Sequence, residues 1–86
     1  MISKKEIRDF IIKSLQRKKK IPQVFLNNID SFNYMQEGQI DSLELIHFII
    51  SIEERFKFSF SEKNKESEQF RTVGGLTNLI YKKLSN

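Results

Sequence analysis

Apolar residues recur at helical spacing in three separate stretches of this chain, and nowhere do they alternate for long enough to build a sheet. Ile7, Phe10, Ile11 and Leu15 form the first stripe. Leu43, Ile46, Ile49, Ile50 and Phe56 form the second, which Leu45, Phe48 and Ile52 widen beyond one face. Val73, Leu76, Leu79 and Ile80 form the third. Each stripe has its own start signal. Ser3 with Glu6 makes a capping box, in which hydroxyl and carboxylate each take a free amide. Asp41 is an N-cap candidate that makes Ser42 the first helical residue, and Thr72 caps the last helix. Pro22 disfavours helical geometry at Ile21, so the first helix is expected to stop by about Lys19, with Arg17-Lys18-Lys19-Lys20 at its cation-favouring carbonyl end.

Between the stripes the pattern loosens. Asn27, Asn28, Asp30, Ser31, Asn33 and Gly38 are turn formers, so residues 21–40 read as a long ordered loop with a helical turn near Gln23–Leu26. A loop of that length in a compact domain usually frames a function. The second helix is apolar round so much of its circumference that it is expected to be central, packed on several sides. Phe56, Phe58 and Phe60 alternate but are too few for a sheet, and read as an extended plug into the core. Ser61 to Glu68 is polar, reading as loop plus one irregular helical turn ending at Phe70. The expected fold is a small all-α four-helix bundle, three main helices plus one short helix, over a single domain of residues 1–86.

Composition narrows the function. Hydrophobic residues make up 38% of the 86-residue chain, with eight Phe and two Tyr, too rich for a disordered tail. A domain of this size buries only about 60–65% of its unfolded surface, leaving no room for a deep enclosed active site. Cysteine is absent, excluding disulfides, thiolate metal sites and a cysteine nucleophile, and the single His makes a zinc site improbable. No apolar run is long enough to span a membrane, Met1 to Glu6 lacks the apolar region of a secretion signal, and the expected location is cytoplasmic.

The informative stretch is Glu37-Gly38-Gln39-Ile40-Asp41-Ser42-Leu43, which sets a serine hydroxyl at a helix start after a glycine-containing loop. Taken alone, Asp-Ser-Leu is common and needs no reading beyond capping. A helix N-terminus does favour an anion, so a phosphodiester on Ser42 is well placed there. No activating base, oxyanion donor pair or phosphate loop is legible, so the chain does not read as an enzyme. His47 lies five residues beyond Ser42, roughly 140° round an ideal helix, and suits an exposed docking contact better than a general base.

With its surroundings, this stretch resembles the acyl carrier proteins, which bear 4′-phosphopantetheine on the serine of an Asp-Ser-Leu motif. After Asp41-Ser42-Leu43 comes Ile52-Glu53-Glu54-Arg55-Phe56, similar to the family's Leu-Glu-x-x-Phe. Phe58-Ser59-Phe60 matches the apolar-x-apolar segment that follows, and Thr72-Val73 the family's last-helix opening, with Leu76 and Leu79-Ile80 at the expected offsets. The Gly-x-Ile-Asp-Ser-Leu form looks more like stand-alone carriers of specialised pathways than the housekeeping fatty-acid carrier. His47 and Arg55 stand where acids are usual, and the chain is basic, at +4.

The resemblance implies covalent phosphopantetheine, taken from coenzyme A, on Ser42, with Asp41, Leu43 and Glu44 helping a phosphopantetheinyl transferase recognise it. It implies acyl or aminoacyl thioesters delivered to acyl-activating, acyl-transferring or condensing enzymes of a fatty-acid, polyketide or other specialised pathway, by a monomer. Glu44, His47, Glu53 and Glu54 are the expected partner-docking residues, and Phe48, Ile49, Phe58, Phe60 and Leu76 line a core able to loosen round a chain. Charge by segment agrees with such docking: residues 41–56 carry four acids against Arg55, net −3, while residues 1–20 carry eight basic and two acidic side chains, net +6. Those N-terminal cations read either as a solvated helix face or as an attractor for a second acidic surface, such as a membrane-bound enzyme, anionic lipid or nucleic acid. The alternative for the whole chain is a basic helical module that binds nucleic acid or protein without a cofactor. Nucleic acid is not the expected partner, because the cations spread round the helix without interleaved exposed aromatics.

Overall fold

The computed structural model describes residues 2–17 and 19–85, so Lys18 of the basic run and Met1 lie outside the described residues. The described residues fold as helices without a strand, in the order α1 (Lys4–Leu15), α2 (Gln23–Leu26), α3 (Ser42–Phe56), α4 (Glu62–Glu66) and α5 (Val73–Ser85). Single 3-10 turns at Ile29–Ser31 and Glu68–Arg71 complete them. The three expected long helices are all present, and two short α-helices, rather than one, join them. The second falls in the polar stretch after Ser61, whose hydroxyl accepts from Asn64 N–H while the Asn64 amide oxygen accepts in return from Ser61 N–H, closing a capping box.

Ser3 starts α1 as expected, its hydroxyl accepting from Glu6 N–H at 3.1 Å, but the expected box is only half made. The Glu6 carboxylate lies instead 3.6 Å from the Arg55 guanidinium at the far end of α3. Lys4 Nζ sits 5.2 Å above the Tyr81 ring near the end of α5. These contacts make α1 antiparallel to both α3 and α5, and α1 packs most extensively along α5. Ile7, Ile11 and Leu15 face the core beside Leu76 and Ile80.

The first helix ends at Leu15, four residues short of the expected limit. Terminal carbonyls need partners, and here side chains supply them. Gln39 donates its amide to Leu15 O at 2.8 Å and also to Lys19 O. The Gln16 side-chain oxygen accepts from Ile21 N–H at 2.9 Å, turning the chain so that Ile21 reaches the core. Arg17, Lys19 and Lys20 therefore lie beyond the end of α1, outside any helix.

The long loop is ordered, with its helical turn at Gln23–Leu26 as expected. Phe32 and Tyr34 are buried, and Phe25 packs on Phe32 at 4.8 Å between centroids. Phe32 O accepts from Val73 N–H at 3.1 Å, and Arg8 Nε donates to Asp30 Oδ1 at 2.8 Å. Tyr34 donates its hydroxyl to Phe70 O, and burial pushes the phenol pKa up from its ordinary value.

The expected facing of α3 is overturned. Its buried stripe is Phe48, Ile52 and Phe56, with Leu45 and Ile49 half-buried. Leu43, Ile46 and Ile50 are 64%, 53% and 46% exposed. The helix lies at the edge of the α1–α5 pair and is covered on one side only, so the apolar residues on its other side meet solvent. Beyond it the chain turns at Lys57, whose φ of 59° is left-handed. Phe60 N–H donates to Glu53 Oε2 at 2.8 Å, and the Phe60 ring packs edge-on against Phe58 and Phe70, so the expected aromatic plug forms, with Phe58 only half-buried. Thr72 caps α5 as expected, its hydroxyl accepting from Gly75 N–H at 3.1 Å. Gly74 is needed there, because a Cβ would stand 2.6 Å from Asp30 Cβ.

Candidate functional site

The loop that delivers Ser42 is fixed from below. Gly38 takes a φ of 72°, a left-handed conformation that glycine adopts without strain. Next to it Gln39 turns inward, is buried, and spans to the end of α1 through its two carbonyl acceptors. Ile40 packs half-buried against the core, and Asp41 then takes extended backbone at φ −94°, ψ −177°. The Asp41 carboxylate accepts from Glu44 N–H at 2.8 Å, and Asp41 N–H donates to the Glu44 carboxylate at 3.0 Å. This capping box sets Ser42 as the first residue of α3, exposed to solvent.

The box satisfies the Asp41 and Glu44 amides, and Leu45 N–H makes the first backbone bond of the helix, to Asp41 O. The two earlier amides of the turn, on Ser42 and Leu43, are left for solvent or a ligand. An anion attached at Ser42 Oγ meets those N–H groups and the positive end of the helix dipole. The residues present thus fit a phosphate ester on this hydroxyl. His47 is exposed a turn and a half further along α3, and among the described residues no side chain is hydrogen-bonded to the serine hydroxyl.

The other sequence candidates are spread along α3. Glu44 closes the cap, and Glu53 is half-buried with its carboxylate holding the Phe60 backbone. Glu54 is exposed on the last turn. Leu43 projects into solvent beside Ser42 and begins the exposed apolar strip with Ile46 and Ile50. Among the described residues, no group of three His, Cys, Asp or Glu side chains is arranged to hold a metal ion. Among the same residues no helix is long and apolar enough to cross a membrane.

Two concavities flank the first turns of α3. A groove of about 440 Å³ is lined by Tyr34, Met35, Leu45, Ile49 and Phe70, with Arg71 at its edge. A smaller cleft of about 160 Å³ lies on the other side, between Arg17 and Ile40, Glu44 and His47. Of the five residues expected to line a loosening core, only Ile49 borders the larger groove; Phe48, Phe60 and Leu76 are buried and Phe58 is half-buried. Sequence reasoning missed Gln39 and the groove residues Met35 and Leu45. Gln39 carries no local signal, since its partners lie 20 and 24 residues away.

Fold and site together define a small helical bundle that presents one capped serine at a helix start, beside an apolar groove. Comparison with known proteins agrees. The chain is 37% identical over 51 residues to the acyl carrier protein of Chlamydia muridarum (strain MoPn / Nigg) and 35% identical over 51 residues to that of Chlamydia caviae (strain ATCC VR-813 / DSM 19441 / 03DC25 / GPIC). The matched stretch covers 59% of this chain and 64% of each relative, just under two thirds of their length. This similarity supports a family relationship with the acyl carrier proteins. No family model matches the chain, and no solved structure does.

Proposed function

We propose that this chain is a carrier whose Ser42 receives 4′-phosphopantetheine from coenzyme A through a separate transferase. The observation that carries the reading is the exposed Ser42 hydroxyl at the first position of α3, held by the Asp41–Glu44 box, in a relative of acyl carrier proteins. The attached group supplies a flexible arm ending in a thiol, on which acyl or aminoacyl groups ride as thioesters. The protein contributes position and address. Gly38 and Gln39 hold the attachment loop, Asp41 and Glu44 fix the turn, and the amides of Ser42 and Leu43 face the phosphate. The chain itself performs no bond-breaking chemistry.

Leu45 and Ile49, one and two turns along α3 from Ser42, border the larger apolar groove, which supports a role in shielding a carried chain from water. Leu43, Glu44, His47 and Glu54 present the surface that transferases and acyl-handling enzymes of a biosynthetic pathway read. Tethering raises the effective concentration of cargo at each partner's site. The test is incubation with coenzyme A and a broad-specificity phosphopantetheinyl transferase, followed by intact-mass measurement. The wild-type chain gains one phosphopantetheine, and Ser42→Ala gains none while keeping its helical circular dichroism. Modification of the alanine variant, or none of the wild type, contradicts the assignment.

A further inference from the structure

The attachment serine does not stand in an acidic field alone. Gln39, three residues before Ser42, donates to Leu15 O and Lys19 O, so the bend after α1 is stapled to the attachment loop. Lys19 Nζ lies 3.5 Å from Gly38 O on that same loop. Arg17 shares the 160 Å³ cleft with Ile40, Glu44 and His47, on the two turns of chain that bracket Ser42. Arg17, Lys19 and Lys20 are all exposed. None of the three forms an ion pair among the described residues, whereas Lys5, Arg8, Arg55 and Lys65 each do. The acids of α3 are less available: Glu44 is bound into the cap and Glu53 into the turn at Phe60.

We infer that the surface surrounding Ser42 is a cationic docking face, made by Arg17, Lys19 and Lys20 beside the exposed strip Leu43, Ile46 and Ile50, and that it fits a protein partner whose active-site rim is acidic. The inference rests on the carrier reading and specifies the partner's polarity. An apolar strip 46–64% exposed on α3, the helix whose Glu44 and His47 share the cleft with Arg17, suits a protein surface, since nucleic acid offers it nothing to cover. An anionic membrane would meet Asp41 and Glu54 on the same helix, both exposed. Complementary charge acts mainly on encounter, so its signature is a rate that falls with salt.

The experiment measures kcat/KM for phosphopantetheine transfer by the transferase of the protein's own host, at 25 and 300 mM NaCl. The triple variant R17E/K19E/K20E is compared with K4E/K57E/K82E, which makes the same charge change at the opposite end of the bundle. Circular dichroism confirms that both fold. The expected result is at least a tenfold loss at low salt for the first variant, shrinking at high salt, and less than a twofold change for the second. Equal rates for wild type and R17E/K19E/K20E, or equal losses in both variants, overturn the inference while leaving the carrier reading intact. So does salt-sensitive binding of labelled DNA or of phosphatidylglycerol vesicles that R17E/K19E/K20E abolishes while transfer is unchanged. A wild type that accepts no cofactor overturns both.

Discussion

Ser42 and Tyr34 stand at opposite extremes of the site, one exposed at the start of α3 and proposed to carry the attached group, the other buried and structural. Ser42 bears no helix-core contact, so Ser42→Ala is expected to change unfolding free energy by less than about 0.5 kcal/mol while removing the attachment point. Urea unfolding and intact mass on the same sample read both effects. Tyr34 ties the long loop to Phe70 O, and Tyr34→Phe leaves that buried carbonyl without its donor, a cost of about 1–2 kcal/mol. Its pH dependence has a definite sign. Burial raises the native phenol pKa above its ordinary value of 10.0, so the native state keeps the proton that the unfolded chain releases. The stability contributed by Tyr34 is therefore complete below about pH 10 and declines as pH rises beyond it. Urea unfolding of both proteins at pH 8 and pH 11 is expected to show the gap between them narrowing at the higher pH; a constant gap contradicts the assignment.

Helix starts were legible in the sequence because their signals are local. Ser3, Asp41 and Thr72 each lie within three residues of the amide they cap. The end of α1 was not legible, since the Gln39 amide satisfies the Leu15 carbonyl from across the fold, and α3, which ends at Phe56, is followed by a left-handed lysine where glycine is the usual residue. Gln39→Ala removes a donor from two carbonyls and is expected to cost about 2 kcal/mol, with faster amide hydrogen exchange in residues 38–41. The facing of α3 was ambiguous for another reason. Leu43, Leu45, Ile46, Phe48, Ile49, Ile50, Ile52 and Phe56 surround most of the helix, and periodicity cannot choose among overlapping stripes; packing against α1 and the loop chooses. The double variant Ile46→Ser, Ile50→Ser is accordingly expected to unfold within about 1 kcal/mol of wild type, while Ile52→Ala loses about 2–5 kcal/mol. Chemical denaturation distinguishes the two faces, and equal losses would contradict the observed orientation.

For the whole molecule, the antiparallel run of α1 against α3 brings the basic bend after α1 to the same end as Ser42, a placement that segment-by-segment charge could not reveal. The Asp-Ser-Leu motif and its downstream pattern singled out Ser42 as the candidate attachment point within one line of sequence, whereas the groove beside it depends on Tyr34, Met35 and Phe70, which only the folded loop assembles. On the proposed reading the chain supplies the rigid address and the attached group supplies the mobile thiol. The most direct test is the mass of the protein purified from its own host, with tryptic mapping of residues 21–55, which end at Arg55 and contain Ser42. The account predicts that this peptide carries phosphopantetheine, free or acylated, on Ser42. A bare peptide from native material that also resists loading by a transferase and coenzyme A would contradict it.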